Sequence, residues 1–296
     1  MSESIRARAI SLPRASASNA SARGSFLRRQ VYYVICTILA VFALAPIVVL
    51  IFDALKTDTA VANSPFSFPT RPVWENFSQA WDLGAIGTAF ANSAVYVVVS
   101  VVIVCCFAAA AAYALVRLRV RFGGSVMTYL LVASGVPIQS FLVPLFVLWT
   151  HLHLYNTRLG LIIVYVATSS PFAILLMRSY LLQIPSAFVE AARVDGANEL
   201  RIARSIIGPM LWPGLTSVAL VTAVAIYNDF IFAVTFLQSS SAAPVSLSFY
   251  TFQQANGLNY AMLSAGGVIV IAPIFVLFFV LQRRFVEGLS ASGLRG

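Results

Sequence analysis

Charge is what this chain has least of. Of 296 residues only 10% are Asp, Glu, Lys or Arg, whereas 60% are hydrophobic and 22 are Phe. Mean hydropathy is +0.88. So little polar surface cannot clothe a soluble globular domain, and the composition is that of a polytopic membrane protein. Cysteine is also scarce: Cys36, Cys105 and Cys106 all fall in apolar runs and two are adjacent, which excludes a disulfide framework and makes them small core residues. The two histidines, His151 and His153, have no Cys or carboxylate near them in sequence, a poor start for a metal site. No GxxxxGK[ST] phosphate loop occurs, so this polypeptide does not hydrolyse ATP in the P-loop manner. The net charge of +9 comes from arginines spread among apolar spans and not from one folded basic face, which points to membrane orientation and sets nucleic acid aside.

Long apolar runs are what the chain has instead. A hydrocarbon layer of about 30 Å takes about 20 residues of helix. Runs of that order cover 31–52, 92–116, 125–150, 159–177, 209–237 (interrupted by Asp229) and 261–282. The first is too long for a cleaved secretory signal and is expected to anchor the chain. Around these six spans lie a basic arm over 1–30, a long loop over 53–91, a polar, turn-rich loop over 239–260 and a tail over 286–296. Six spans put both termini on one side. Sixteen of the nineteen Arg and Lys fall in the arm, the 117–121 loop, the 178–204 segment and the chain after the last span (Arg283, Arg284 and Arg295), leaving Lys56, Arg71 and Arg158 for the other side. By the positive-inside rule the richer side, with both termini, is cytoplasmic. In the 53–91 loop Trp74, Phe77 and Trp81 recur at helical spacing, as interfacial aromatics do or as a docking surface for an external partner would.

The segment EAARVDGANELRI (190–202) breaks the apolar pattern with Glu190, Arg193, Asp195, Glu199 and Arg201. Each would cost about 2.5–3.5 kcal/mol in hydrocarbon, so the segment lies in water. Pro185 suits the start of a helix, and Phe188, Val189, Ala191 and Ala192 give that helix a small apolar face. Asp195-Gly196 marks a bend, Asn198 an N-cap and Glu199 a favourable first-turn charge for a second helix, on which Leu200, Ala203 and Ile207 recur at helical spacing. Helix-to-helix connections usually take about 2–8 residues, and this one is far longer. The excess is that of an element working against a soluble protein.

Glu190-Ala191-Ala192, Asp195-Gly196-Ala197, then Ile206, Pro209 and Pro213 resemble the EAA loop of ABC importer permeases, specifically the carbohydrate-type subfamily related to the maltose permeases. Asn92-Ser93, Ala111-Ala112-Tyr113-Ala114-Leu115 with Arg117, Pro137, Pro144-Leu145, Asn156-Thr157, Pro171-Phe172 and Tyr227-Asn228-Asp229-Phe230 agree with it in the same order. The resemblance implies an all-α polytopic membrane protein with six transmembrane helices in the type I ABC importer permease fold. The core would cover 92–285, with a cytoplasmic coupling loop at about 184–208. Glu190, Ala191, Ala192, Asp195, Gly196, Ala197 and Leu200 would meet an ATPase subunit, with Gly196 giving the bend. It further implies two cytoplasmic ATPase subunits carrying ATP and Mg, with no cofactor on this chain. A second, homologous permease chain, an extracytoplasmic solute-binding protein and a bacterial inner membrane complete the expected setting. The chain departs from the family pattern at Ala203, where an aromatic is usual, and at Gly208, where leucine or a similar residue is.

At membrane depth Asp229, beside Tyr227 and Asn228, is the one carboxylate, and it either bonds across helices at a subunit interface or faces the solute pathway. Pro137, Pro144 and Pro171 free backbone groups that must be satisfied inside the bundle, and Gln139 and Ser140 are candidates to line a cavity there. An alternative is an ion-coupled secondary transporter with Asp229 as its proton site. A membrane-embedded enzyme lacks a nucleophile and base pair or a metal cluster. Disaccharides, longer oligosaccharides, polyols and glycerol phosphates or phosphodiesters all use permeases resembling this one, so the sequence leaves the solute open.

Overall fold

The computed structural model describes residues 17–118 and 120–293, with side chains at 29–118, 120–137, 139–277 and 279. Most of the basic arm (1–16), Arg119 and the end of the tail (294–296) lie outside the described residues. Every regular element among those described is helical: α1 (Ala17–Ala54), α2 (Asp58–Asn63), α3 (Glu75–Leu83), α4 (Ile86–Arg117), α5 (Gly123–Gly135), α6 (Leu142–His151), α7 (Arg158–Gln183), α8 (Ala187–Val194), α9 (Glu199–Ile202), α10 (Gly208–Met210), α11 (Trp212–Tyr227), α12 (Ile231–Phe236), α13 (Val245–Asn256) and α14 (Tyr260–Gly293). Helices satisfy their own backbone groups, which hydrocarbon requires of any spanning segment. Four stretches, 29–54, 86–117, 158–183 and 260–277, are each long and apolar enough to cross a membrane, and two bent pairs bring the number to six if each crosses as a unit.

At the centre stands α4. Tyr96, Ser100, Val104, Ala108 and Ala112 are buried at every fourth position, so one face of this 32-residue helix is covered along most of its length. It packs chiefly on α7 and α11, and the small Ala108 and Ala112 join Ala173 and Met177 of α7 in one apolar cluster. A second cluster at the other end of the bundle gathers Tyr96, Trp149, Tyr165, Ile226, Phe232 and Phe236. Pro171 lies inside α7, where the Thr168 and Ser170 hydroxyls donate to the carbonyls of Val164 and Val166.

The run 125–150 bends at Pro137: α5 and the helix that follows meet at 92°, because Pro137 forces Val136 into extended backbone. Two expectations are corrected. The run 209–237 is likewise broken. α11 ends at Tyr227, residues 228–230 are non-helical and α12 follows, so Asp229 sits in the break. And 239–260 is not a loop throughout, since α13 occupies most of it. Val245, Ser248 and Phe252 are buried at helical spacing on one face, a period that the intervening Ser, Thr and Gln disguise.

The 53–91 region is organised on a buried ion pair. Lys56, 3% exposed, donates to Asp53 Oδ1 at 2.9 Å and to the carbonyls of Ser64 and Pro65 at 3.1 and 2.8 Å. Asn76 Nδ2 donates to the carbonyls of Ala54 and Lys56, which seats α3 on the end of α1.

Candidate functional site

The elbow between α7 and α11 is built as a helix, a left-handed glycine and a second helix. α7 stops where Ile184 turns extended ahead of Pro185. α8 then runs to Val194, and Gly196 makes the turn at φ +79°, a backbone conformation that glycine adopts without cost. Asn198 caps the next helix, its side-chain oxygen accepting from the Arg201 amide at 2.9 Å. After Ile202 the helix widens into a π turn over Ala203–Ile207, closed by the Gly208 amide donating to the Ala203 carbonyl. A Cβ on Gly208 would stand 3.1 Å from that carbonyl oxygen, so both departures from the family pattern, Ala203 and Gly208, frame this turn. The extra residue also shifts the helix face. Ile202 and Ile207 are buried and Leu200 is 77% exposed, which corrects the expected apolar set of Leu200, Ala203 and Ile207.

The underside of the elbow is fixed. Val189, Ala192, Ile202 and Ile207 join the cluster of Ala108, Ala112 and Leu181. Glu199 accepts from Tyr113 Oη at 2.6 Å through Oε2 and from Arg193 Nε at 2.8 Å through Oε1. Those two hydrogen bonds, Arg193 first, hold the Glu199 carboxyl below the usual glutamate range. Arg117 Nη2 donates to the carbonyls of Leu181 and Ile184, capping the end of α7. The outer side is open: Glu190, Ala191, Asp195, Gly196 and Leu200 are exposed, Ala197 is half-buried, and Phe188 and Val194 add exposed apolar surface. Glu199, Arg201 and Arg204 keep 199–210 out of hydrocarbon, so of the bent pair only the arm after Leu211, which departs at 74°, supplies apolar spanning length.

Deeper in the bundle a cavity of about 330 Å³ opens between the α5–α6 bend, α7 and α11–α12. Gln139, Tyr165, Thr168, Ser169, Phe172 and Thr222 contribute to its wall with Asp229. Asp229 is not free in it. Its Oδ2 accepts from Tyr165 Oη at 3.0 Å and from the Ala233 amide at 3.2 Å, and its Oδ1 from the Phe232 amide at 3.4 Å, so it caps α12 and ties it to α7. Of the other sequence candidates, Gln139 lines this cavity and Ser140, Tyr227 and Asn228 do not. Tyr227 Oη donates to the Val270 carbonyl of α14, and Asn228 Nδ2 to the Val224 carbonyl of its own helix. The α7 wall was missed by the sequence reading. Its signal was Tyr165, Thr168, Ser169 and Phe172 at helical spacing inside an apolar run.

At the far end of α4 the segment 238–245 is held by side chains. Asn92 Nδ2 donates to the carbonyls of Ser241 and Ala243, Tyr96 Oη to that of Ala242, and Ser93 Oγ accepts from the Val245 amide. Asn156 Oδ1 accepts from the Gln238 and Ser239 amides, and Arg158 bridges Asn92 Oδ1 and the Ser241 carbonyl.

Comparison with known proteins places this arrangement. The chain is 30% identical to the diacetylchitobiose uptake system permease protein NgcG of Streptomyces coelicolor over 86% of its length and 85% of the relative's. It is 28% identical to the melibiose/raffinose/stachyose import permease protein MelC of Bacillus subtilis over 90% and 97%. A chain of a bacterial ABC transporter involved in the import of the acidic polysaccharide alginate superposes with a TM-score of 0.77 at 26% identity, covering 89% of this chain and 98% of that one. The expected importer-permease fold is therefore the one found. Residues 102–290, which hold the elbow, the cavity wall from Gln139 onward and the far-side segment, match the family model, and the chain belongs to the binding-protein-dependent transport system inner membrane components.

Proposed function

We propose that this permease imports an uncharged sugar or polyol, with its elbow docked on a cytoplasmic ATPase subunit. The observation that carries the docking is the contrast between the two sides of the elbow. Its underside is locked into the core through Val189, Ala192, Ile202 and Ile207, while Phe188, Val194 and Leu200 stand 48%, 87% and 77% exposed among Glu190 and Asp195. A rigid, amphipathic knob of this kind transmits a push without absorbing it, and the attached α7 and α11 then rock as bodies between inward-open and outward-open states. ATP and Mg belong to two such ATPase subunits. A second, homologous permease chain and an extracytoplasmic binding protein complete the system, with lipid around the spans. The sixteen-to-three division of Arg and Lys supports a cytoplasmic elbow and cytoplasmic termini in a bacterial inner membrane.

For the solute, uptake of diacetylchitobiose by one relative's system and of melibiose, raffinose and stachyose by another's supports the sugar class. The cavity narrows it. Hydroxyls, the Gln139 amide and the Phe172 ring line it beside the Asp229 carboxyl, and no Lys or Arg is among its lining residues. A phosphate or carboxylate would be buried there without a cationic partner, so a neutral polyhydroxyl solute fits better than a glycerol phosphate. Because the cavity is open on one side, the companion permease supplies the rest of the pathway.

Reconstitution with companion permease, ATPase and binding protein in proteoliposomes tests the proposal. Uptake should require ATP and binding protein, and Val194→Asp with Leu200→Asp should release the ATPase without unfolding the chain. Gradient-driven uptake by this chain alone, or labelling of a Glu190→Cys variant in a background free of the native cysteines by an impermeant reagent from the periplasmic face, would overturn it.

A further inference from the structure

α7 and α11 are joined to the elbow by the chain itself, but α4, the central helix, is not. Besides the apolar packing of the elbow on Ala108 and Ala112 and the Arg117 bonds to the Leu181 and Ile184 carbonyls at the elbow's start, the side-chain hydrogen bond from α4 to α8 and α9 among the described residues is made to Glu199. Glu199 lies at the start of α9, accepts from Arg193 of α8 through Oε1 at 2.8 Å, and accepts from Tyr113 of α4 through Oε2 at 2.6 Å. Gly196, at φ +79°, is the joint at which α8 and α9 could change their angle, and the Arg193–Glu199 bond closes it. The Tyr113 hydroxyl therefore hangs α4 on an elbow already made stiff.

From that end α4 runs unbroken for 32 residues, about 48 Å at 1.5 Å per residue. Its other end grips 241–245 through Asn92, Ser93 and Tyr96, with four hydrogen bonds of 2.8–3.0 Å. That segment is separated from the end of α12 by four residues, and Ile231 and Phe232 of α12 line the Asp229 cavity. A displacement of the elbow thus has a stiff, continuous route to the opposite side of the bundle and to one wall of the cavity.

We propose that Glu199 is a positioning residue for transport: its bond to Tyr113 makes the elbow and α4 move as one body, and α4 carries that movement to 241–245 and α12. The proposal rests on the importer reading given above. It differs from a merely structural role, because losing the bond should spare assembly and basal ATP hydrolysis and change the solute moved per ATP.

Tyr113→Phe, Glu199→Gln and the double variant, each in the complete reconstituted complex, provide the test. Tyr113→Phe removes one hydroxyl from a buried ring and leaves its packing in place. Solute moved per ATP hydrolysed should fall about fivefold or more in each single variant, the lower end of ordinary coupling between sites. The double variant should be no worse than the poorer single, since both remove the same bond. An unchanged ratio in Tyr113→Phe, or losses that multiply in the double variant, would overturn the proposal. Should Glu199→Gln fail to assemble, spin labels at the exposed Ser205 and Ser240 decide: on ATP addition both should shift in the wild type and only the first in Tyr113→Phe, and equal shifts in the two proteins refute it. A wild-type complex that hydrolyses ATP without any uptake would instead refute the importer reading.

Discussion

Replacing Asp229 separates a capping carboxyl from a proton carrier. Three hydrogen bonds end on it, from Tyr165 Oη and from the amides of Ala233 and Phe232, at 3.0, 3.2 and 3.4 Å. Asparagine caps a helix about as well as aspartate and keeps one acceptor oxygen, so Asp229→Asn should stay within about 1 kcal/mol of the wild type. Alanine removes the cap, worth about 0.5–2 kcal/mol. It also leaves the buried Tyr165 hydroxyl without an acceptor, at about 1–3 kcal/mol. Asp229→Ala should therefore lose about 1.5–5 kcal/mol, the sum of those two terms. Reversible unfolding in mixed micelles measures both variants, and ATP-driven uptake is read alongside. Equal stability for Ala and wild type would show that the cap does not matter. Loss of uptake in Asp229→Asn at wild-type stability would show that the residue's acid chemistry, and not its geometry, is what transport needs, which is the secondary-transporter alternative.

Gly160→Ala should be among the most damaging single-methyl changes, because a Cβ there would stand 2.1 Å from the Leu154 carbonyl oxygen, a backbone atom that cannot rotate away. A loss of at least about 1–3 kcal/mol is expected by the same unfolding assay, and a neutral result would refute the packing of α7 on the 152–157 turn. Lys56→Met leaves Asp53 buried without its partner and should cost about 3–5 kcal/mol, with faster proteolysis across 57–74, whereas pairing it with Asp53→Asn should recover most of the loss. Because the folded Glu199 carboxyl titrates below the ordinary value of about 4.3, its contribution is present above that pH and lost as pH falls through the lower folded value. Pepsin cleavage within 187–202 should accordingly rise at the acid end of that window, and a Glu199→Gln protein should show no such step.

Membrane residence, the positions of the apolar runs and the elbow were legible because each is a property of consecutive residues. Hydropathy sums over a window, Asp195-Gly196 and Asn198 announce a bend and a cap locally, and the 16:3 charge split is a count along the chain. Family motifs extended that reach to Glu190, Asp195 and Gly196. What the sequence could not yield were relations between distant residues. Asn92 and Ser241, or Tyr113 and Glu199, are separated by 149 and 86 positions, and neither partner carries a mark of the other. The bend at Leu211, the helix at 245–256 and the π turn that puts Ile202 and Ile207 on one buried face follow from how elements pack, where a one-residue shift rotates a side chain to another face. Asp229 shows the division most plainly. Composition alone made it conspicuous as a carboxyl among apolar residues, but only the approach of α7 and the start of α12 decided that its oxygens would be spent on Tyr165 and two amides. Local physics determined what each segment is, and the folded bundle determined what each polar group inside it can still do.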